Sequence, residues 1–179
     1  DKAKNFCFKH PDLAHLLLTK ITEITIKYLI KKIESGVDAV QIFDSWGGVL
    51  SHHDYQKFSF PYIKKISESI HKKTRIIVFP KGCWHSLNNY SKLDIDCVGL
   101  DWSCSAQNAR YLTSNKLTLQ GNLDPSRLFS EEKEVITHTK KMLKEFGKHK
   151  YIANLGHGIL PETPVKNVRA FVNTIKESI

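Results

Sequence analysis

The sequence predicts an α/β protein built on a parallel sheet, and three observations carry that expectation. Five short apolar runs alternate with helical periodicity through all 179 residues, the pattern of repeated βα units rather than of a sandwich. The runs are apolar on both faces, as strands covered by helices must be. Each run also ends in polar or charged residues, the mark of a site built at the carboxyl ends of parallel strands.

The elements follow in order. Residues Pro11 to Ser35 read as a long helix: Pro11 suits the first helical position and Gly36 the stop. Apolar residues recur along it at Leu13, Leu16, Leu17, Ile21, Ile24, Tyr28 and Leu29. The first strand is Val37 to Phe43, followed by Asp44-Ser45 and a flexible Gly47-Gly48. A helix over Pro61 to His71 leads to the β-branched run Arg75 to Phe79, ended by Pro80-Lys81-Gly82. A short helix from Trp84 to Leu93 precedes the strand Cys97 to Leu100, closed by Asp101. Ser105 to Ser114 is helical, and Lys116 to Leu119 is a strand ended by Gln120-Gly121-Asn122. Ser130 caps a helix that stops at Gly147, with Glu131 and Glu132 in its first turn. The last strand, Tyr151 to Ala153, runs into Asn154-Leu155-Gly156-His157-Gly158. Thr163-Pro164 starts a final helix with Val165, Val168, Phe171, Val172 and Ile175 as its buried stripe.

Composition narrows the class further. With 41% hydrophobic and 25% charged residues, disordered, collagen-like and disulfide-stapled chains are excluded. Residues 1–179 form one domain by length, with no stretch near the roughly 20 apolar residues of a membrane span. The opening Asp1-Lys2-Ala3-Lys4 begins no secretory segment. The absence of an initial Met implies either processing or sequence upstream. A closed barrel of eight strands needs about 250 residues, so the five strands form either an open sheet or the back half of a barrel.

A net charge of +9 invites a nucleic-acid reading. Of the 27 basic residues, however, 23 are Lys and only 4 are Arg. They are scattered in pairs on helices, so solvated helix faces are expected and no nucleic-acid partner. Cys7, Cys83, Cys97 and Cys104 form no CxxC pair and have no zinc-finger histidines. A reducing, cytoplasmic setting fits them best.

Chemistry concentrates past the strands. His157, between two glycines, can hydrogen-bond a ligand or exchange protons near neutral pH; alternatively it bonds a backbone carbonyl. Ser45 can donate a hydroxyl to a ligand or simply finish a turn, and no Gly-x-Ser-x-Gly elbow surrounds it. Asp44 and Asp101 could form an acid/base pair, though such carboxylates more often bond their own turns. No metal-ligand set stands out: His52-His53 are adjacent in sequence, and His85 has no spaced partner. Neither a P-loop nor a Gly-x-Gly-x-x-Gly follows any strand.

Four blocks carry a family resemblance: Ala39 to Gly48 (AVQIFDSWGG), Val98 to Trp102 (VGLDW), Leu119 to Pro125 (LQGNLDP) and Tyr151 to Gly158 (YIANLGHG). In order and spacing, with Phe60-Pro61-Tyr62 and Lys81 between them, they resemble the uroporphyrinogen decarboxylase family. The resemblance covers essentially the whole chain. It implies a (β/α)8 barrel of TIM-barrel type, of which about the last five β/α units are present. It implies a homodimeric carboxy-lyase of haem and porphyrin biosynthesis, converting uroporphyrinogen III to coproporphyrinogen III with loss of four CO2. Neither metal nor organic cofactor is implied, because the pyrrole ring is its own electron sink. Ser45 matches the family's substrate-contacting Ser or Thr, His157 its substrate-contacting histidine, and Phe43 an apolar wall beside the tetrapyrrole.

The family's Arg-Gln-x-Gly-Arg block, its aspartate for the pyrrole N–H groups and the nearby tyrosine have no counterpart in the chain; they would lie upstream of residue 1. By that resemblance the 179 residues alone are an inactive piece, and a split-gene relic is the alternative. The barrel-related cobalamin-dependent methyltransferases fit less well. Where they place a His-x-Cys zinc pair this chain has Lys81-Gly82-Cys83, and Lys81 is no zinc ligand in that frame.

Overall fold

A computed structural model describes residues 2–178; Asp1 and Ile179 lie outside the described residues. The strands are β1 (Ala39–Asp44), β2 (Arg75–Pro80), β3 (Cys97–Gly99), β4 (Thr118–Leu123) and β5 (Tyr151–Leu155). They follow one another in the sheet order β1-β2-β3-β4-β5, as expected for consecutive βα units. Contacts divide the chain within β3 into two compact units, one up to Cys97 and one from Val98 onward. Among the described residues no helix is long and apolar enough to cross a membrane.

In the first unit, β1 pairs parallel with β2, Val40 opposite Ile76 and Phe43 opposite Phe79. Val40, Ile42, Ile76 and Val78 are buried, while Phe43, on the other face of β1, is 67% exposed. That open face departs from the expectation of strands apolar and covered on both sides. Helices α1 (Lys2–Lys9), α2 (Pro11–Glu34), α3 (His52–Phe58), α4 (Phe60–Ile70) and the short α5 (Leu87–Tyr90) complete the unit. The sequence reading had no counterpart for α1.

Helix α2 keeps its predicted bounds, ending in Ser35 and a Gly36 at φ 88°. Its buried residues are Ala14, Thr22 and Leu29. The predicted stripe is instead exposed at Leu13, Leu16, Leu17, Ile21, Ile24 and Tyr28. Periodicity locates an apolar stripe, but apolar residues cover more of α2 than one neighbour can bury, and packing decides which side meets it. His15 anchors α2, stacking on Phe58 at 5.0 Å with Nδ1 2.6 Å from the Tyr62 hydroxyl.

In the second unit, β4 pairs parallel with β5, Leu119 opposite Tyr151 and Asn122 opposite Asn154. Leu100 N donates to Gln120 O at 2.7 Å. Helices α6 (Ala106–Leu112), α7 (Glu132–Phe146) and α8 (Val165–Lys176) pack around a core of Leu119, Leu128 and Val135. Tyr151 stacks face to face on Phe146 at 4.5 Å. β4 starts two residues later and runs four residues further than its apolar pattern suggests, taking in Gln120, Gly121, Asn122 and Leu123. Backbone pairing with β5 extends the strand through residues whose side chains alone read as a turn.

Two helix starts differ from expectation. Ser130 closes the 3-10 turn Pro125–Phe129 and does not cap α7, whose N-cap is Glu131. In α8, Val165 is 65% and Val172 39% exposed, whereas Asn167, Ala170, Phe171 and Thr174 are buried. Asn167 turns inward because its amide has work to do: Nδ2 donates to Leu128 O and Ser130 O, both at 2.8 Å. The lysines behave as solvated helix charges where they pair, Lys31 with Glu34, Lys64 with Glu68 and Lys141 with Glu145.

Asn167→Ala removes the two donors that hold the turn before α7 and orphans both carbonyls. The expected cost is about 1–3 kcal/mol, read as a lower urea midpoint at unchanged m-value. An unchanged midpoint would show that the turn does not depend on this amide.

Candidate functional site

The residues singled out in the sequence lie at or just past the carboxyl ends of the strands in each unit. Ser45, half-buried, follows β1 directly in the turn 45–46. The turn is zipped to the end of β2: Lys81 N donates to Asp44 O and Gly48 N to Lys81 O, each at 3.1 Å. Gly47-Gly48, expected to be flexible, is packed. A Cβ on Gly48 would meet Lys81 O at 2.7 Å and Gly82 Cα at 2.8 Å. Glycine is required here because two backbones touch.

Asp44 fixes this turn. Its Oδ2 accepts from the Ser59 hydroxyl at 2.5 Å, and a Cβ on Gly47 would collide with the Asp44 carboxylate and the Tyr55 ring. Tyr55 is fully buried, its hydroxyl 2.5 Å from that of Tyr90. Burial pushes both phenols above their ordinary range, Tyr90 adding to the effect on Tyr55. Asp44 therefore has the structural partner that carboxylates at strand ends commonly have. Phe43 projects from the open face of β1 and meets Phe79 edge-on, centroids 6.0 Å apart.

In the second unit, Asp101 closes β3 and turns on itself, Oδ1 accepting from Ser103 N at 2.8 Å and from the Ser103 hydroxyl. Asn122 holds the same turn from β4, its Nδ2 donating to Asp101 O at 2.9 Å and Cys104 O at 2.7 Å. His157 follows β5 by two residues and is exposed. Its approach is set by Gly156, whose N donates to Leu123 O at 2.8 Å. A Cβ on Gly156 would meet Trp102 N at 2.9 Å. His157 is thereby carried beside the Asp101-Trp102 turn.

Three groups escaped the sequence reading. Trp46, Trp84 and Trp102 each lie within a few residues of a strand's carboxyl end and are 78%, 45% and 45% exposed. Their positions just past three successive apolar runs were the available signal. His85 does have a partner: its Nδ1 lies 3.1 Å from Nδ1 of His52. No spacing rule pairs residues 33 apart on a helix and a turn. Two of the four arginines are occupied elsewhere, Arg75 on Asp96 at 2.8 Å and Arg110 on the carbonyls of His149 and Lys150. The hollow of about 730 Å³ near Arg75, Asp38 and Asp96 lies at the amino ends of β1 and β2, where conserving the fold, not chemistry, is the usual task. Among the described residues no group of three or more His, Cys, Asp and Glu could hold a metal ion.

The arrangement defines a class: a β/α protein of barrel type that presents hydroxyl, imidazole and aromatic groups beyond the carboxyl ends of parallel strands. The uroporphyrinogen decarboxylase family model matches residues 1–178, and the chain belongs to that family. A uroporphyrinogen decarboxylase of Flavobacterium johnsoniae is 54% identical, and one of Christiangramia forsetii 52%, each over 177 residues. Both alignments take in 99% of this chain and 52% of the relative, so the chain spans about half the length of the curated relatives it matches. Among solved structures, a methyltransferase from Methanosarcina mazei superposes with a TM-score of 0.81 at 21% identity, over 98% of this chain and 52% of that one. A B12-independent methionine synthase from Shewanella gives 0.63 at 14%, over 87% of this chain and 51% of that one. At those identities the likeness concerns the fold.

All four cysteines are free thiols. Burial, then the neighbouring Asp96, pushes Cys97 up to about 12; burial, then Asp101, pushes Cys104 up to about 11. Since the thiolate is the reactive form, a thiol reagent at pH 8 should modify half-buried Cys7 and spare Cys97 and Cys104 until the chain unfolds. Modification of the latter pair at the rate of Cys7 in the native chain would contradict this.

Proposed function

We propose that residues 1–179 are the C-terminal part of a single (β/α)8 barrel domain that decarboxylates uroporphyrinogen III to coproporphyrinogen III in the cytoplasm. One observation carries the reading: the family match runs over residues 1–178, and so includes every block that bears Ser45, Phe43 and His157.

The proposed chemistry needs only the substrate's electrons. A proton adds to a pyrrole ring carbon and makes a cationic ring. The C–C bond to one acetate carboxylate then breaks, CO2 leaves, and its bonding pair flows into that ring. A second proton completes the methyl group while the ring carbon gives up its own. Four such rounds release four CO2. The protein's task is to orient the tetrapyrrole in a cleft and stabilise transient charge, without metal or organic cofactor.

In this reading Phe43 supplies an apolar wall and Ser45 a hydroxyl to the substrate. His157 supplies an imidazole for a hydrogen bond or proton. The exposed rings of Trp46 and Trp84, in the first unit, offer apolar faces to single pyrrole rings of the substrate. The eight carboxylates of the substrate call for cations in a fixed frame, yet Arg75 and Arg110 are already engaged within the fold. By the family resemblance most of those cations belong to the Arg-Gln-x-Gly-Arg block in the rest of the barrel, which in this reading also covers the exposed apolar stripe of α2 in a homodimeric enzyme.

Two experiments test this. Coproporphyrinogen formation is assayed anaerobically, followed by oxidation and chromatography. A complete barrel carrying this sequence turns over. Ser45→Ala or His157→Asn lowers its rate by the worth of a positioning hydrogen bond, about 0.5–1.5 kcal/mol, or roughly two- to tenfold. The 179 residues alone show no turnover. Full-rate turnover by them would refute the need for upstream arginines, and no product from the complete barrel would refute the activity. Sedimentation gives the second test: the chain alone self-associates through α2, and Ile24→Glu shifts it toward monomer. A stable monomer at high concentration would count against that.

A further inference from the structure

We propose that His52 and His85, together with the Ser86 hydroxyl, form a surface site for one divalent transition-metal ion of the copper, nickel or zinc class. The site uses none of the residues assigned to the tetrapyrrole, and it does not depend on that assignment.

The geometry is that of a coordination face. His52 begins α3, and His85 lies in the 3-10 turn Trp84–Ser86 that follows β2. Their Nδ1 atoms are 3.1 Å apart. Ser86 Oγ is 3.0 Å from Nδ1 of His85 and 3.5 Å from Nδ1 of His52. Ligands bound at about 2.0–2.1 Å and separated by about 90–110° lie roughly 2.8–3.4 Å from each other; the His52–His85 and His85–Ser86 separations fall within that range and the His52–Ser86 separation just above it. The imidazoles meet edge to face at 82°, so the rings do not stack.

The platform is held in place beforehand. The His85 ring packs edge-on against Tyr55, centroids 5.9 Å apart, and Tyr55 is itself fixed by its bond to Tyr90. Gln56 Nε2 donates to Ser86 Oγ at 3.2 Å, orienting the hydroxyl. On the open side His52 is exposed to solvent, so an ion can enter from water. Without an ion the close approach requires one imidazole to carry its proton on Nδ1 as donor to the other. An ion takes the place of that proton and engages both lone pairs. Two imidazoles and a hydroxyl leave the remaining positions to water, so the site is open and exchangeable. Nitrogen ligands order the affinities with Cu2+ ahead of Ni2+ and Zn2+.

The test titrates the full chain with Cu2+ by calorimetry and by electron paramagnetic resonance. One equivalent is expected to bind ahead of the remainder, with two equatorial nitrogens in its spectrum. His52→Gln and His85→Gln each weaken that equivalent by about tenfold or more, the loss that ligand-shell mutations bring; His71→Gln leaves it unchanged. Wild-type binding by both variants, or a spectrum with a single nitrogen, would overturn the site. A second readout needs no variant: one equivalent of Zn2+ should shield His52 and His85 together from diethyl pyrocarbonate, but not His71. Unshielded His52 and His85 would overturn it equally.

Discussion

Backbone meets backbone just past the strands, and the candidate site depends on that closeness. Gly48 lies against Lys81 and Gly82, and Gly156 against Asp101 and Trp102, with no room for a methyl group at either place. Van der Waals contact at these distances leaves the turns only one arrangement. The peptide groups of the turns then find partners in each other, Gly48 N with Lys81 O and Gly156 N with Leu123 O. Ser45 and His157 follow directly on turns that those contacts hold.

Around these turns, buried and half-buried polar groups act as fasteners. Asp44 with Ser59, Asn122 with the carbonyls of residues 101 and 104, and Asn167 with those of 128 and 130 each tie a loop to a neighbouring element. A buried donor or acceptor without a partner is costly, so such pairs specify one loop conformation where apolar packing would accept several. The two strand-end aspartates serve this purpose, Asp101 by bonding within its own turn. What faces outward is the remaining chemistry: indole rings, a phenyl wall, a hydroxyl and imidazoles.

The candidate site was legible only in part. Ser45 and His157 stood out because they lie shortly after apolar runs, and order along the chain survives folding; Phe43, inside its run, was marked only by the family resemblance. The tryptophans obeyed the same rule, but exposure at 78%, 45% and 45% is a tertiary property that position alone does not give. The His52–His85 pair was invisible in sequence, since its members come from a helix and a turn after different strands. The outward stripe of α2 was likewise misassigned: periodicity reports that a stripe exists, while burial depends on which neighbour arrives.

The amino-acid sequence by itself determined the alternation of strands and helices, their parallel pairing and the polar ends of the strands, because these follow from local periodicity and chain direction. Family membership was also written in it, as four motifs in register. Only the tertiary structure decided which face of α2 and α8 is buried, how far β4 extends, and why Gly47 and Gly48 are glycines. Those outcomes rest on distances between residues far apart in the chain, and no local pattern encodes such distances.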